Sequence, residues 1–408
     1  MKKTTQNIKL SFALCASLAL STSLLADEKT DIAALQAELT ELKEMTQILI
    51  DETSDLKTGF NYTTVDTEKS FSGLGAAASK VYYSNSPLSI GGYGEMYYAH
   101  TTKADGAKSS IVDVYRFVPY IGYKFSDNII LNTEIEFEHG GVANDGGTAE
   151  GGEVIVEFMY LDFLINKNLN LRAGNMLVPM GLINERHEPT LFTTVQRPST
   201  SKYLIPSTWH ESGVMAFGNI VDGLEYKLAA LTALDPSDAG SKWLRNGRNG
   251  AFKNTSPKLS VTARVDYTGY NGLMTGVSVY SDSNLLMADV HIDYKVSGFR
   301  AYGVYTQTTR SDATNGQVEQ ANGGFLNTSF DLLSLTSMSE TLPLFVQYES
   351  TNPEAKTVNA TDGESTDTVT FGLNYFPHPQ VVLKADYALA TTAGKTDNIA
   401  SLSMGFVF

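Results

Sequence analysis

Beyond residue 88, apolar and polar residues alternate with a period of two through most of the chain. In LSVTARVDY, Leu259, Val261, Ala263, Val265 and Tyr267 fall on one set of positions, and Ser260, Thr262, Arg264 and Asp266 on the other. In VVLKADYAL, Val381, Leu383, Ala385, Tyr387 and Leu389 alternate in the same way with a set that holds Lys384 and Asp386. Successive side chains of a strand point to opposite faces, so each segment predicts a strand with one apolar face and one that tolerates charge. Sixteen such segments are expected. The first eight are 88–99, 111–125, 129–138, 153–165, 169–178, 213–219, 223–234 and 257–268. The other eight are 272–280, 285–295, 299–308, 323–333, 341–349, 367–376, 380–390 and 397–408. Two places break the pattern: Pro119 removes a ladder donor inside the second segment, and the fourth changes phase near Tyr160, as a bulge would make it do.

The links between segments carry further information. Short turns (SDN at 126, NKN at 166, GYNG around 270, VSG at 296, PHP at 377) alternate with longer polar stretches such as HGGVANDGGTAEGG from His139. Short turns at one end and long loops at the other fit a transmembrane β-barrel. The chain stops on SLSMGFVF, with Leu402, Met404, Phe406 and Phe408 on one face and no turn after them. An open edge strand leaves backbone groups unpaired, so the last strand is expected to close on the first.

The N-terminal region has a different period. Ile32, Leu35, Leu39, Leu42, Thr46, Leu49, Thr53 and Leu56 follow spacings of three and four with charges between them, which predicts a helical coiled coil over 27–58. A helix packed on its own domain is the alternative to self-association. Residues 1–26 have Lys2, Lys3 and Lys9 ahead of an apolar run and a small residue, Ala26, as a secretory signal peptide does. Residues 59–87 are mixed and Ser/Gly-rich and read as a linker to the barrel, 88–408.

Composition narrows the function. No run of about 18 apolar residues follows the signal segment, while 21 Tyr, 19 Phe and 34 Gly are spread along the chain, so a closed barrel is the one way left to span a membrane. Lys+Arg 30 against Asp+Glu 45 gives a net charge of −15, which argues against nucleic acid as a partner. The one cysteine, Cys15, lies in the signal segment, so no disulfide framework is expected. The six histidines show no metal-ligand spacing, and His210, Glu211 and Ser212 are neighbours on an extended chain whose side chains point apart. No metal, cofactor or catalytic residue is expected, and the chain is read as no enzyme.

One long link is unlike the rest. Residues 179–212 combine apolar anchors such as Leu182, Ile183, Phe192 and Trp209 with Glu185, Arg186, His187, Arg197 and Lys202. Folded into the lumen, such a loop would narrow a pore and select solutes by size and sign. Those five charged or titratable residues are the expected constriction. Arg186, Arg197 and Lys202 would oppose wall acids such as Glu134 and Glu136. The wall residues Arg116, Glu134, Glu136, Arg172, Arg264, Arg300 and Lys384 are the expected pore lining, with Lys124 and Lys258 also expected to face inward.

The stretches GNMLVPMGLINE, TLFTTVQRPS and IPSTWHESGVMAFG, then GGFLNTSFDLLSL and GLNYFPHPQVVLKADYAL, resemble the phosphate-selective porins of the O and P type and related epsilonproteobacterial trimeric porins. The resemblance implies a homotrimer of sixteen-stranded barrels in outer-membrane lipid of a Gram-negative bacterium, passing small hydrophilic solutes and ions, with anions such as phosphate among the candidates. It implies that Arg197 is the basic residue of an inserted loop, and that Phe408 is the signal read by the barrel assembly machinery. The family's dense arginine ladder is absent, because acids share the expected lumen. Two other readings are a barrel-anchored tether between outer membrane and cell wall, and a barrel-embedded lipase.

Overall fold

The computed structural model describes residues 39–47, 65–142, 151–236 and 240–408. Sixteen strands pair antiparallel with their sequence neighbours into one closed barrel. They are β1 (Leu88–Thr102), β2 (Lys108–Ser126), β3 (Ile129–Glu138), β4 (Val154–Asn166), β5 (Leu169–Leu177), β6 (His210–Val221), β7 (Leu224–Thr232) and β8 (Leu259–Tyr267) in the first half. The second half holds β9 (Leu273–Ser281), β10 (Leu285–Val296), β11 (Phe299–Arg310), β12 (Val318–Asp331), β13 (Pro343–Thr357), β14 (Thr366–His378), β15 (Val381–Thr392) and β16 (Lys395–Val407). The alternation has the expected sense: on β8, Leu259, Val261, Val265 and Tyr267 are exposed on the outer wall, while Ser260, Thr262, Arg264 and Asp266 are buried inside.

Closure answers the question posed by the terminal segment. β1 pairs β16 from Tyr93↔Val407 to Thr102↔Asn398. The Phe408 N–H donates to the Gly92 carbonyl and the Gly92 N–H to the Phe408 carbonyl, each at 2.9 Å. Gly92 has φ of +152°, and a Cβ there would meet the Val118 carbonyl oxygen at 2.3 Å, so the seam requires glycine. The Phe408 ring lies parallel to Phe117, with centroids 6.1 Å apart, in an aromatic cluster with Phe406.

Both irregularities have a local cause. On the β3 side no pair forms between Phe117↔Phe137 and Tyr120↔Glu134, so Pro119 is paired only on its other side, opposite Gly92. The β3–β4 register steps from Glu134↔Phe158 to Ile135↔Val156, which makes Glu157 the extra residue of a bulge, three positions before the expected phase change. Glu157 and Phe158 are consequently both buried.

The stretch read as a linker is not featureless. Ala76–Tyr83 forms a helix with Ala76, Ala77, Ala78, Ser79, Lys80 and Val81 buried, packed inside the barrel against β1, β2 and β3. Asn132 donates to the Ala78 carbonyl at 2.9 Å, and the Tyr82 hydroxyl to Asp162 at 2.7 Å. Residues 39–47, which belong to a separate compact unit, are helical, with Leu39 and Leu42 exposed. The remainder of the expected coil and the signal segment lie outside the described residues.

Candidate pore constriction

The segment between β5 and β6 folds into the lumen and is almost wholly buried. Its two ends are clamped by one side chain. Asn184 donates to the carbonyls of Val178 and Trp209, at 2.8 Å each, and accepts from the Trp209 N–H at 2.8 Å. From there the loop meets successive parts of the wall. The Gly181 N–H donates to Asp289 on β10 at 2.9 Å, Thr193 N–H to the Tyr302 hydroxyl on β11 at 2.9 Å, and Thr200 N–H to Glu349 on β13 at 2.6 Å. Val195 N–H donates to Asp386 on β15 at 2.6 Å, while Lys384 on the same strand donates to the Phe192 and Thr194 carbonyls at 2.8 and 3.0 Å. Wall acids and one lysine therefore satisfy loop backbone that would otherwise be buried unpaired.

The loop charges pair differently from the expected opposition to Glu134 and Glu136. Glu185 lies 2.6 Å from Lys227 on β7 and 3.7 Å from Arg264 on β8. Arg186 reaches Asp293 on β10 at 3.1 Å. His187 is the residue that meets Glu134, at 3.2 Å, and it also approaches Glu157 at 3.6 Å. Arg197 is buried behind the loop, donating to the His187 carbonyl at 3.1 Å, so its charge faces the β3–β4 wall rather than open space. Lys202 lies 5.6 Å from the ring of its neighbour Tyr203, in a π-helical turn, Thr200–Leu204, packed on β11, β12 and β13.

All but one of the expected wall bases face inward, and each has a partner. Arg116 sits between Glu95 at 3.0 Å and Glu136 at 3.2 Å. Arg172 pairs with Asp162 through two bonds of 2.7 and 2.9 Å, and Arg300 with Asp293 through two of 2.9 Å. Arg264 holds Asp266 at 2.7 Å and donates to the Gly181 carbonyl. Lys124 points inward to the Ser84 carbonyl at 2.6 Å. Lys258 does not: it precedes β8, is exposed, and lies 3.8 Å from Asp235. A rule based on parity fails there because the residue stands outside the ladder. His210, Glu211 and Ser212 take separate partners, the Thr208 carbonyl, Thr232 and Asn175, so no nucleophile–base pair forms among them.

Sequence reasoning missed the inner helix and its contact with the loop. Glu188 accepts from the Ala78 and Ala77 N–H groups at 3.1 and 3.3 Å, capping the helix from another element. A Cβ at Gly75 would lie 2.3 Å from this carboxylate, which explains the glycine ahead of the helix. Burial pushes the Glu188 pKa up to about 7, against the opposing pull of the helix N–H groups. A carboxyl raised on folding binds more protons in the folded state, so this group's contribution to stability falls as pH rises from about 4.5 to 7. Glu188→Gln should flatten that part of the stability–pH profile, read as the difference in unfolding midpoint between the two proteins. Equal slopes would show that Glu188 does not titrate in this range.

A cavity of about 660 Å³ opens among Thr190–Thr193, Lys295, Arg300, Asn374 and the turns around Ser297 and Pro377, with Glu68 and Asp331 also in its lining. Arg186 keeps 21% of its side chain exposed and Arg300 15%, and both bind Asp293.

A relative from Aquifex aeolicus (strain VF5), described as an uncharacterized protein, is 32% identical over 361 residues, covering 81% of this chain and 82% of its own length. The chain belongs to that protein's family. No family model matches it. Among solved structures, the outer-membrane channel DcaP of Acinetobacter baumannii aligns with a TM-score of 0.54 at 14% identity, over 79% of this chain and 97% of its own. An anion-selective porin from Comamonas acidovorans aligns at 0.53 and 12%, over 79% and 99%. OmpF of Salmonella typhi, in complex with daunomycin, aligns at 0.54 and 11%, over 79% and 97%. The fold is that of the outer-membrane porins.

Proposed function

We propose that the chain is an outer-membrane porin, a passive diffusion channel for small hydrophilic solutes and ions that favours anions, and that it works as a homotrimer. The observation that carries this reading is the loop between β5 and β6, which lies inside a closed sixteen-strand barrel and is tied to its wall on several sides. A loop that only covered the barrel mouth would not bury its backbone against β10, β11, β13 and β15. The anion preference rests on Arg186 and Arg300 sharing the single carboxylate of Asp293, with Arg300 and Lys295 lining the open cavity alongside Glu68 and Asp331. Inorganic phosphate is one candidate solute. The acid-rich wall gives it no ladder of free bases, so small anions in general are the better supported class. The helical stretch at 39–47 leaves Leu39 and Leu42 exposed, which suits an N-terminal coil that joins subunits on the periplasmic side. The test is reversal potential across a planar bilayer under a salt gradient: a conducting pore with an anion-side potential is expected, and a protein that inserts without conducting would refute the reading.

In this reading Phe408 also serves assembly, because it is the partner of Gly92 at the seam. Deleting Phe408 should lower the amount of protein in the outer membrane while leaving export across the inner membrane intact. Unchanged outer-membrane levels, measured in fractionated envelopes, would remove that role.

A further inference from the structure

Behind the inserted loop, three side chains that are far apart in sequence converge. Glu134 on β3, Glu157 at the β4 bulge and His187 in the loop each offer one atom, and these atoms lie within 4.8 Å of one another. Glu134 and Glu157 are fully buried at 0% exposure and His187 keeps 2%.

The direction of the imidazole is informative. Nδ1 of His187 lies 2.6 Å from the Asn184 carbonyl oxygen, which only accepts, so this nitrogen carries the hydrogen. In the neutral ring Nε2 then presents a lone pair, and it faces Glu134 Oε1 at 3.2 Å and Glu157 Oε2 at 3.6 Å. A lone pair aimed at two carboxylate oxygens needs a proton or a metal cation between them. Glu134 Oε2 and both oxygens of Glu157 also have no hydrogen-bond partner among the described residues. Local cations do not fill the deficit: Arg116 is already engaged by Glu95 and Glu136 at 3.0 and 3.2 Å, and Arg197 donates to the His187 carbonyl.

We propose that Glu134, Glu157 and His187 bind one divalent transition-metal cation, for which zinc is the best match. One imidazole nitrogen with two carboxylate oxygens suits a borderline cation, whereas calcium and magnesium favour shells of oxygen alone. The bond from Nδ1–H to a backbone carbonyl is the outer contact that usually orients a metal-bound histidine. The bulge has a purpose in this arrangement, since the extra residue is the one that brings a second carboxylate inside. The cation would fasten the inserted loop to the β3–β4 wall. The site does not depend on what the pore conducts.

The test uses the purified full chain in detergent, stripped with a chelator and titrated with zinc chloride by calorimetry, with metal content measured after dialysis. One zinc per chain is expected, with an absorption edge spectrum showing a nitrogen and oxygen shell in the unmutated protein. Glu157→Gln, which keeps size and shape, and His187→Ala should each weaken binding by at least about tenfold. Absence of saturable zinc uptake would overturn the proposal, as would affinity unchanged in both variants or an equal response to magnesium. The edge spectrum alone decides the ligand set should either variant fail to fold.

Discussion

Replacing residues 184–203 with a short glycine–serine bridge should raise single-channel conductance several-fold. This segment carries the bonds to Tyr302, Asp386 and Glu349 and is largely buried inside the barrel. The strands themselves are held by a continuous ladder, β1 through β16, to which the loop contributes no pair. Closure of the sheet therefore survives the deletion, and the wall groups released by it, such as Lys227, Asp293 and Glu349, gain water in place of the loop. Conductance scales with the open cross-section, so it is the property most sensitive to this change. The measurement is single-channel current at fixed voltage in high salt, where surface charge is screened and size dominates. Equal conductance in the two proteins would mean that the conducting path does not pass the loop.

The sequence disclosed the barrel because lipid imposes a strict rule on every spanning strand. Where that rule lapses, the expected boundaries drift. β12 and β13 continue past the expected 323 and 349 to Val318 and Thr357, through Glu319 and Lys356, which pair with each other at 3.0 Å. With one face no longer required to be apolar, alternation is no guide there. The inner helix was illegible for a related reason. AAASKVYY is short, and its six consecutive buried residues from Ala76 to Val81 lie inside the barrel, so no amphipathic stripe marks it. The inserted loop was legible as a loop with anchors, yet its charge pairs were not. Arg186 finds Asp293 across more than a hundred residues of sequence, and only the closed geometry brings β10 opposite the loop. The same holds for His187 with Glu134 and Glu157, where a search for histidine spacing has nothing to find because the ligand atoms come from three elements.

Arg186→Glu should move the reversal potential toward cations. Two guanidinium groups, Arg186 at 3.1 Å and Arg300 at 2.9 Å, share the carboxylate of Asp293, so this trio carries an excess of positive charge beside a cavity lined by Lys295 as well as by Glu68 and Asp331. Reversing Arg186 changes the charge of this trio by two units and places a carboxylate beside Asp293, leaving the trio negative. Fixed charge in a narrow passage acts through a lower effective dielectric than the same charge on an open surface, so one residue suffices to change the preferred sign. Arg197→Glu is the wrong variant for this purpose, although the family resemblance points to it. Arg197 is 7% exposed and faces the Glu134 side of the wall, so reversal there adds a buried acid to an acidic cluster and lowers stability instead. The two effects separate by ionic strength. The Debye length falls from about 10 Å at 0.1 M salt to about 3 Å at 1 M, so the shift caused by Arg186→Glu should shrink as salt rises, whereas a loss of folded protein would not recover. Reversal potentials that match the unmutated channel at 0.1 M would place Arg186 outside the ion path and remove the basis for an anion preference.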